Sequence, residues 1–253
     1  MDILVSNDDG VEAAGIIVLA KAMKKLGSVV VSAPMNEQSA KSHSLTMREP
    51  VRVVRRPEGW YGVGGTPADS VYMALHHLCS SPPDWVVSGI NAGGNLGDDV
   101  VYSGTVAAAR EAALNGIPSL AVSLVIAGDT PHWETAAEIS TRVIEMMSAE
   151  KLPKGTFLNL NIPDRPLSDV VGLAVTSLGN RHYKSEVDRR QDPRGHAYYW
   201  IGGPPDGFSG SEHSDGVMLN EGWATLTPLK VDTTDYASMD RLASMVGSQI
   251  DLS

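Results

Sequence analysis

The chain has 253 residues, 42% of them hydrophobic, with 30 acidic against 20 basic side chains and a formal charge of −10. A chain of this length buries a sufficient core without staples, and the single Cys79 has no partner for an internal bridge. The acidic balance, with no Lys/Arg cluster interleaved with aromatics, excludes duplex nucleic acid as a partner. No apolar run approaches the roughly 20 residues of a membrane span, and the opening MDILVSNDDG lacks a basic leader, so a cytoplasmic protein is expected.

In chain order, Ile3, Leu4 and Val5 predict a first strand that stops at the turn-prone Asn7-Asp8-Asp9-Gly10. Ile16, Leu19, Ala20, Met23 and Leu26 recur at helical spacing within Val11 to Leu26, and Gly27 ends that helix. Val29 to Val31 is a β-branched run suited to a strand buried on both faces, so the unit reads as strand, helix, parallel strand with a right-handed crossover. The alternation continues through a helix over Ala68 to Leu78, a strand from Trp85, a helix over Val106 to Leu114, a strand from Leu120, a helix over Pro131 to Ala149 and a strand from Thr156. Beyond Leu167 the texture changes. The stretch Val187 to Glu221, rich in Gly, Pro, Asp and aromatics such as Tyr198, Tyr199 and Trp200, predicts extended hairpins with long loops outside the main sheet. A closing helix is predicted over Tyr236 to Ile250. The expectation is one domain over 1–253, with about 183–253 as excursion and tail used in oligomerisation.

In open α/β sheets ligands bind beyond the carboxyl ends of the strands, so the polar segments after each strand carry the chemistry. Asp8 and Asp9 are adjacent carboxylates at the first strand's end. They suit a hard divalent cation, or else Asp9-Gly10 makes a turn while Asp8 caps the next helix. After the third strand, Ser88-Gly89-Ile90-Asn91-Ala92-Gly93-Gly94-Asn95 offers amide oxygens and close backbone approach, or a plain flexible loop. Tyr102-Ser103-Gly104-Thr105 opens an Ala-rich helix whose free N–H groups and hydroxyls make an anion cradle, the ordinary alternative being a Ser or Thr N-cap. In the loop after the second strand, Ser39 is a candidate hydroxyl donor to a metal, while Lys41 and His43 are candidates for an anion. GxGxxG, Walker, GxSxG and HExxH patterns are absent, which disfavours dinucleotide, P-loop, acyl-enzyme and zinc-protease chemistry. Tyr183, Tyr198 and Trp200 are candidates for base stacking, with packing as the plainer use.

Together ILVSNDDG, GTPADS from Gly65, SGINAGGNLGDDVVYSGTVAAARE from Ser88, GIPSLAVS from Gly116, LNLNIP from Leu158 and TPLKVDTT from Thr227 make the chain resemble the SurE family over nearly its whole length. The resemblance implies a Rossmann-like three-layer α/β/α sandwich with a C-terminal β-hairpin excursion and a terminal helix. It implies hydrolysis of nucleoside 5′- and 3′-monophosphates by a metal-activated water, with Asp8 and Asp9 catalytic. One Mg2+ or Mn2+ per subunit would be held by Asp8, Asp9, Ser39 and Asn91, with phosphate contacts from Asn95, Ser103, Gly104 and Thr105, in a homodimer or homotetramer. The readings weighed against it are a covalent aspartyl-phosphate phosphatase, which uses DxD rather than adjacent Asp residues, and a non-catalytic metal-binding regulatory module. Ala40 stands where the family usually has Gly after the metal-binding Ser, and a positive φ there would strain it. Ser70 and Ala112 also depart from the family, as small replacements expected to cost no activity.

Overall fold

The computed structural model describes residues 1–150, 152–184, 187–203 and 205–249; the end of the closing helix expected at Ile250 lies outside them. The chain runs β1 (Asp2–Ser6), α1 (Ala14–Met23), β2 (Ser28–Pro34), β3 (Val53–Arg55), β4 (Tyr61–Val63), α2 (Pro67–Met73), β5 (Trp85–Ala92), α3 (Gly104–Leu114), β6 (Ser119–Val125), α4 (Trp133–Ser148) and β7 (Thr156–Pro163). It continues β8 (Leu173–Val175), β9 (Asn180–Tyr183), β10 (Val187–Gln191), β11 (Ala197–Ile201), β12 (Pro205–Ser209), α5 (Asp215–Asn220), β13 (Ala224–Lys230) and α6 (Tyr236–Gln249). The predicted Ala68 to Leu78 helix changes character part-way, as α2 runs into a π-helical turn at Ala74–Leu78.

Nine strands form the central sheet in the order β3-β4-β2-β1-β5-β6-β7-β13-β8. From β4 to β7 every neighbouring pair is parallel, with helical crossovers joining β1 to β2, β4 to β5, β5 to β6 and β6 to β7. The chain leaves β1 toward β2 and later returns to its other side as β5, so the strand order reverses between β1 and β5. A crevice opens at such a switch point. Alternation along the strands sends Ile3, Val5, Val87, Leu120, Val122, Leu158 and Leu160 to the face covered by α1 and α4. Leu4 and Val86 face the opposite layer, where they meet Val71 of α2, Ala74 of the π-helical turn after it, and Ala108 and Ala112 of α3. The small residues of α3 let its axis lie close to the sheet.

At the carboxyl ends of the strands the α3 face turns polar. Asn91, Ser123, Asn161 and Thr225 are register partners across β5, β6, β7 and β13. Within the expected excursion the structure differs from the sequence reading in two places. Residues 215–220 are the helix α5 rather than loop, and β13 returns to the central sheet between β7 and β8. What stands outside that sheet is two antiparallel pairs, β9 with β12 and β10 with β11.

The start of α2 also secures the long loop after β2. Thr66 Oγ1 accepts the Asp69 N–H at 3.1 Å while Asp69 accepts the Thr66 N–H at 2.8 Å, a reciprocal capping box. Thr66 Oγ1 donates to the Ser44 carbonyl, and the Thr46 N–H donates to Asp69. Thr66→Ala therefore loses a cap and a loop anchor. It should lower stability by about 1–2 kcal/mol, read as a fall of a few degrees in Tm by thermal denaturation.

Candidate active site

The polar segments after β1, β2 and β5 converge with the start of α3 on one open cleft of 360 Å³. Its walls are Asp8, Asp9, Glu37, Ser39, Ala40, Asn91, Ala92, Gly94, Asn95, Asp99, Tyr102, Ser103, Arg181 and Tyr183. Of the sequence candidates, Asp8, Asp9, Ser39, Asn91, Asn95, Ser103 and Tyr183 are thus brought together, while Gly104 and Thr105 stand behind that wall. His43 is turned away from any anion role, since its Nε2 sits 2.8 Å from the buried Glu111 carboxylate.

The turn after β1 is made by Asn7, whose side chain donates to the Gly10 carbonyl at 2.9 Å and accepts the Gly10 N–H at 3.2 Å. Asp8 does not cap α1, whose N-cap is Ala13 with no side-chain bond. Instead the Asp8 carboxylate, 4% exposed, lies against the N-terminus of α3 and accepts a short hydrogen bond from the Thr105 hydroxyl. A Cβ on Gly104 would come within 2.8 Å of the Asp8 Cβ and 3.0 Å of Pro67, so only Gly permits this approach. Burial, opposed by the Thr105 bond and reinforced by Asp9, pushes the Asp8 pKa up to about 6. Asp9 accepts the Ala92 N–H at 3.0 Å and is also raised, chiefly by burial and further by Glu37.

Asn91 commits its Nδ2 to the Gly93 carbonyl at 2.7 Å, which leaves its amide oxygen as the end available to a ligand. Ser39 lies on the exposed loop and donates to Glu37 at 2.9 Å. Beyond it Ala40 has φ +56° and Ser42 φ +54°, so the strain that a positive φ would impose at Ala40 is present. The loop is held across the cleft by the Ser42 N–H and hydroxyl, which donate to the carbonyls of Tyr102 (2.9 Å) and Val101 (2.7 Å). Ser103 is an N-cap, accepting the Val106 N–H at 3.1 Å, so the cap reading of that residue also holds.

Among the described residues no three His, Cys, Asp or Glu side chains gather in a metal-holding group. The set in the cleft is two carboxylates with a hydroxyl and an amide oxygen, all hard oxygen donors. Its two adjacent acids are raised by burial and by neighbouring negative charge, a state that a divalent cation relieves. That donor chemistry fits a hard divalent cation.

On the far wall the sequence offered only Tyr183, as a stacking candidate, and missed Arg181. Arg181 of β9 donates to the Gly94 carbonyl and pairs with Asp99, and its guanidinium lies 5.2 Å and 5.5 Å from the ring centres of Tyr183 and Phe208. Tyr183 donates to Asp99 at 2.7 Å, and burial together with that bond pushes its pKa up to about 12. Glu37 joins the opposite wall. Nothing in the local spacing announces Arg181, because its partner Asp99 is 82 positions away.

Two measurements follow from this geometry. Ala40→Gly removes a left-handed alanine and should raise stability by about 1 kcal/mol, seen as a higher Tm. For Asp8 the folded pKa lies near 6 against 3.8 unfolded, so its contribution is fully present below pH 3.8 and is lost as pH rises through 6. In protein stripped of divalent ions, Asp8→Asn should then be more stable than wild type at pH 8, by on the order of 3 kcal/mol. That gap should close toward pH 4 in chemical denaturation.

A family model described as Survival protein SurE matches residues 3–185. A protein of Pelobacter propionicus named 5'-nucleotidase SurE is 47% identical over 246 residues, covering 97% of this chain and 100% of that one. A 5'/3'-nucleotidase SurE of Serratia proteamaculans is 48% identical over 241 residues, covering 95% of this chain and 94% of that one. Among solved structures, the SurE protein of Aquifex aeolicus superposes with a TM-score of 0.86 at 37% identity, covering 97% of this chain and 99% of that one. With that fold, that cleft and full-length likeness at nearly half identity, the chain belongs to the SurE family.

Proposed function

We propose that this chain is a phosphatase that hydrolyses nucleoside 5′- and 3′-monophosphates to nucleoside and inorganic phosphate. The observation that carries the reading is the convergence of Asp8, Asp9, Ser39 and Asn91 with Asn95 and Ser103 on one cleft at the sheet's switch point. The relatives' printed names as 5'- and 5'/3'-nucleotidases support the same activity.

In this reading Asp8, Asp9, Ser39 and Asn91 hold one divalent cation, Mg2+ or Mn2+. When bound, the cation polarises the phosphoryl oxygen and makes water more acidic. The chain's own residues do the rest. Asn95 and Ser103 receive the equatorial phosphoryl oxygens, and the positive end of α3, with Gly104 in its first turn behind them, offsets the charge that develops in an in-line displacement. Thr105 serves through Asp8, fixing the carboxylate's orientation with its hydroxyl. Asp9, less buried than Asp8, takes the proton of the attacking water. The phosphorus–oxygen ester bond breaks and the departing nucleoside oxygen is protonated by solvent.

The assembly belongs to the same proposal. Ile201, 91% exposed at the tip of β11, and the stripe Tyr236, Met239, Leu242, Met245 and Val246 along α6 are apolar surfaces suited to a second copy, as a homodimer or homotetramer. Among the described residues no helix is long and apolar enough to cross a membrane. The unpaired Cys79 supports a place in the reducing cytoplasm.

Phosphate release from a panel of 5′- and 3′-monophosphates, after chelation and with Mn2+ or Mg2+ restored, tests the reading. Release should return with metal, and Asp9→Asn should reduce it by at least ~10²-fold with the fold intact by circular dichroism. Undiminished turnover in Asp9→Asn, or no release with either metal, would sink it.

A further inference from the structure

Asn95 is held at both of its backbone groups and at its side chain. Its backbone N–H donates to Asn161 Oδ1 at 2.8 Å, and its carbonyl accepts both Asn161 Nδ2 at 3.0 Å and Asn159 Nδ2 at 2.9 Å. Both asparagines project from β7 on the α3 face, fully buried, while Leu158, Leu160 and Ile162 face the other layer. The motif LNLNIP is therefore a strand whose apolar residues build the core and whose asparagines grip one residue of the neighbouring loop. Asn159 Oδ1 is left buried without a hydrogen-bond partner. Turning that amide over to satisfy its oxygen would forfeit the bond to the Asn95 carbonyl, so the orphaned atom accompanies the grip.

With both backbone groups of Asn95 fixed, what remains free is the rotation of its side chain. Ser123 of β6, the register partner of both Asn91 and Asn161, settles it, with Asn95 Nδ2 donating to the buried Ser123 Oγ at 2.8 Å. A serine hydroxyl both donates and accepts. It can hold the Asn95 amide with its oxygen toward the cleft, or, donating to Oδ1, with its NH2 toward the cleft. A phosphoryl oxygen only accepts, so its arrival selects the second arrangement, and the Ser123 hydroxyl rotates to support it.

We infer that Ser123, backed by the Asn159–Asn161 grip, is the positioning residue that presents the Asn95 amide to the phosphoryl group. This rests on the proposed contact between Asn95 and phosphate, and the test separates the two. Inorganic phosphate is titrated as a competitive inhibitor, and kcat/KM measured, for metal-loaded wild type, Asn95→Ala, Ser123→Ala and the double variant. Thr and Val at 123, alike in volume and differing in the hydroxyl, control for packing, and metal affinity and Tm are recorded for each.

The expected result is that Ser123→Ala and Ser123→Val weaken phosphate binding and kcat/KM about tenfold while Ser123→Thr retains most of both. Metal affinity stays at the wild-type value, and Ser123→Ala adds nothing in the Asn95→Ala background. A loss in Asn95→Ala that Ser123→Val does not share, or losses that multiply in the double variant, overturns the role of Ser123. If Asn95→Ala itself binds phosphate and turns over as wild type does, the phosphate contact is wrong and the inference falls with it.

Discussion

A carboxylate buried at the end of the central strand constrains everything around it. Asp8 is nearly sealed from water, and its charge is tolerable only where the N-terminus of α3 and the Thr105 hydroxyl meet it. To put a helix end there, α3 must approach β1 closely, which requires Gly104 at the contact and a helix of small residues along the sheet. It also requires β5 beside β1, so that the chain leaving β5 can reach the start of α3. The reversal of strand order at β1 supplies that neighbour.

The same polar end extends sideways across the sheet. Ser6 and Ser88 pair in register beneath the cleft, both fully buried, with hydroxyls that have no hydrogen-bond partner. Further along, Asn91, Ser123, Asn161 and Thr225 continue the row. An ordinary strand end would bury apolar groups here. Replacing them with hydroxyls and amides gives up hydrophobic stabilisation and leaves a few polar atoms unpaired, in return for loops held from beneath. The apolar core is correspondingly concentrated on the opposite face, under α1 and α4.

The walls of the cleft differ in how firmly they are built. The Asn95 side rests on buried hydrogen bonds from β6 and β7, and Gly97 next to it is tied to the buried Asp215 of α5 at 2.8 Å. The Ser39 side is an exposed loop with two residues in the left-handed region, anchored by Ser42, by His43 on Glu111 and by the α2 capping box. A rigid side suited to fixing a phosphoryl group thus faces a strained side that carries one of the candidate cation ligands.

Elements whose cues are local could be read from the residues alone. Buried runs such as Ile3 to Val5 and Trp85 to Ser88 marked the strands of the parallel sheet, helical spacing marked α1, α3, α4 and α6, and the polar segments after those strands marked the cleft. Asp8, Asp9, Asn91 and Asn95 were legible because each lies within three residues of a strand's carboxyl end, where α/β sheets place ligands. What depends on residues far apart in the chain came only with the packed fold. It inserted β13 between β7 and β8, made Thr105 a partner of Asp8, brought Arg181 to Asp99, and set both backbone groups of Asn95 against β7. The reason is that periodicity and turn chemistry are written in neighbouring residues, whereas a hydrogen bond between groups 66 or 97 positions apart exists only once the packed layers bring them together.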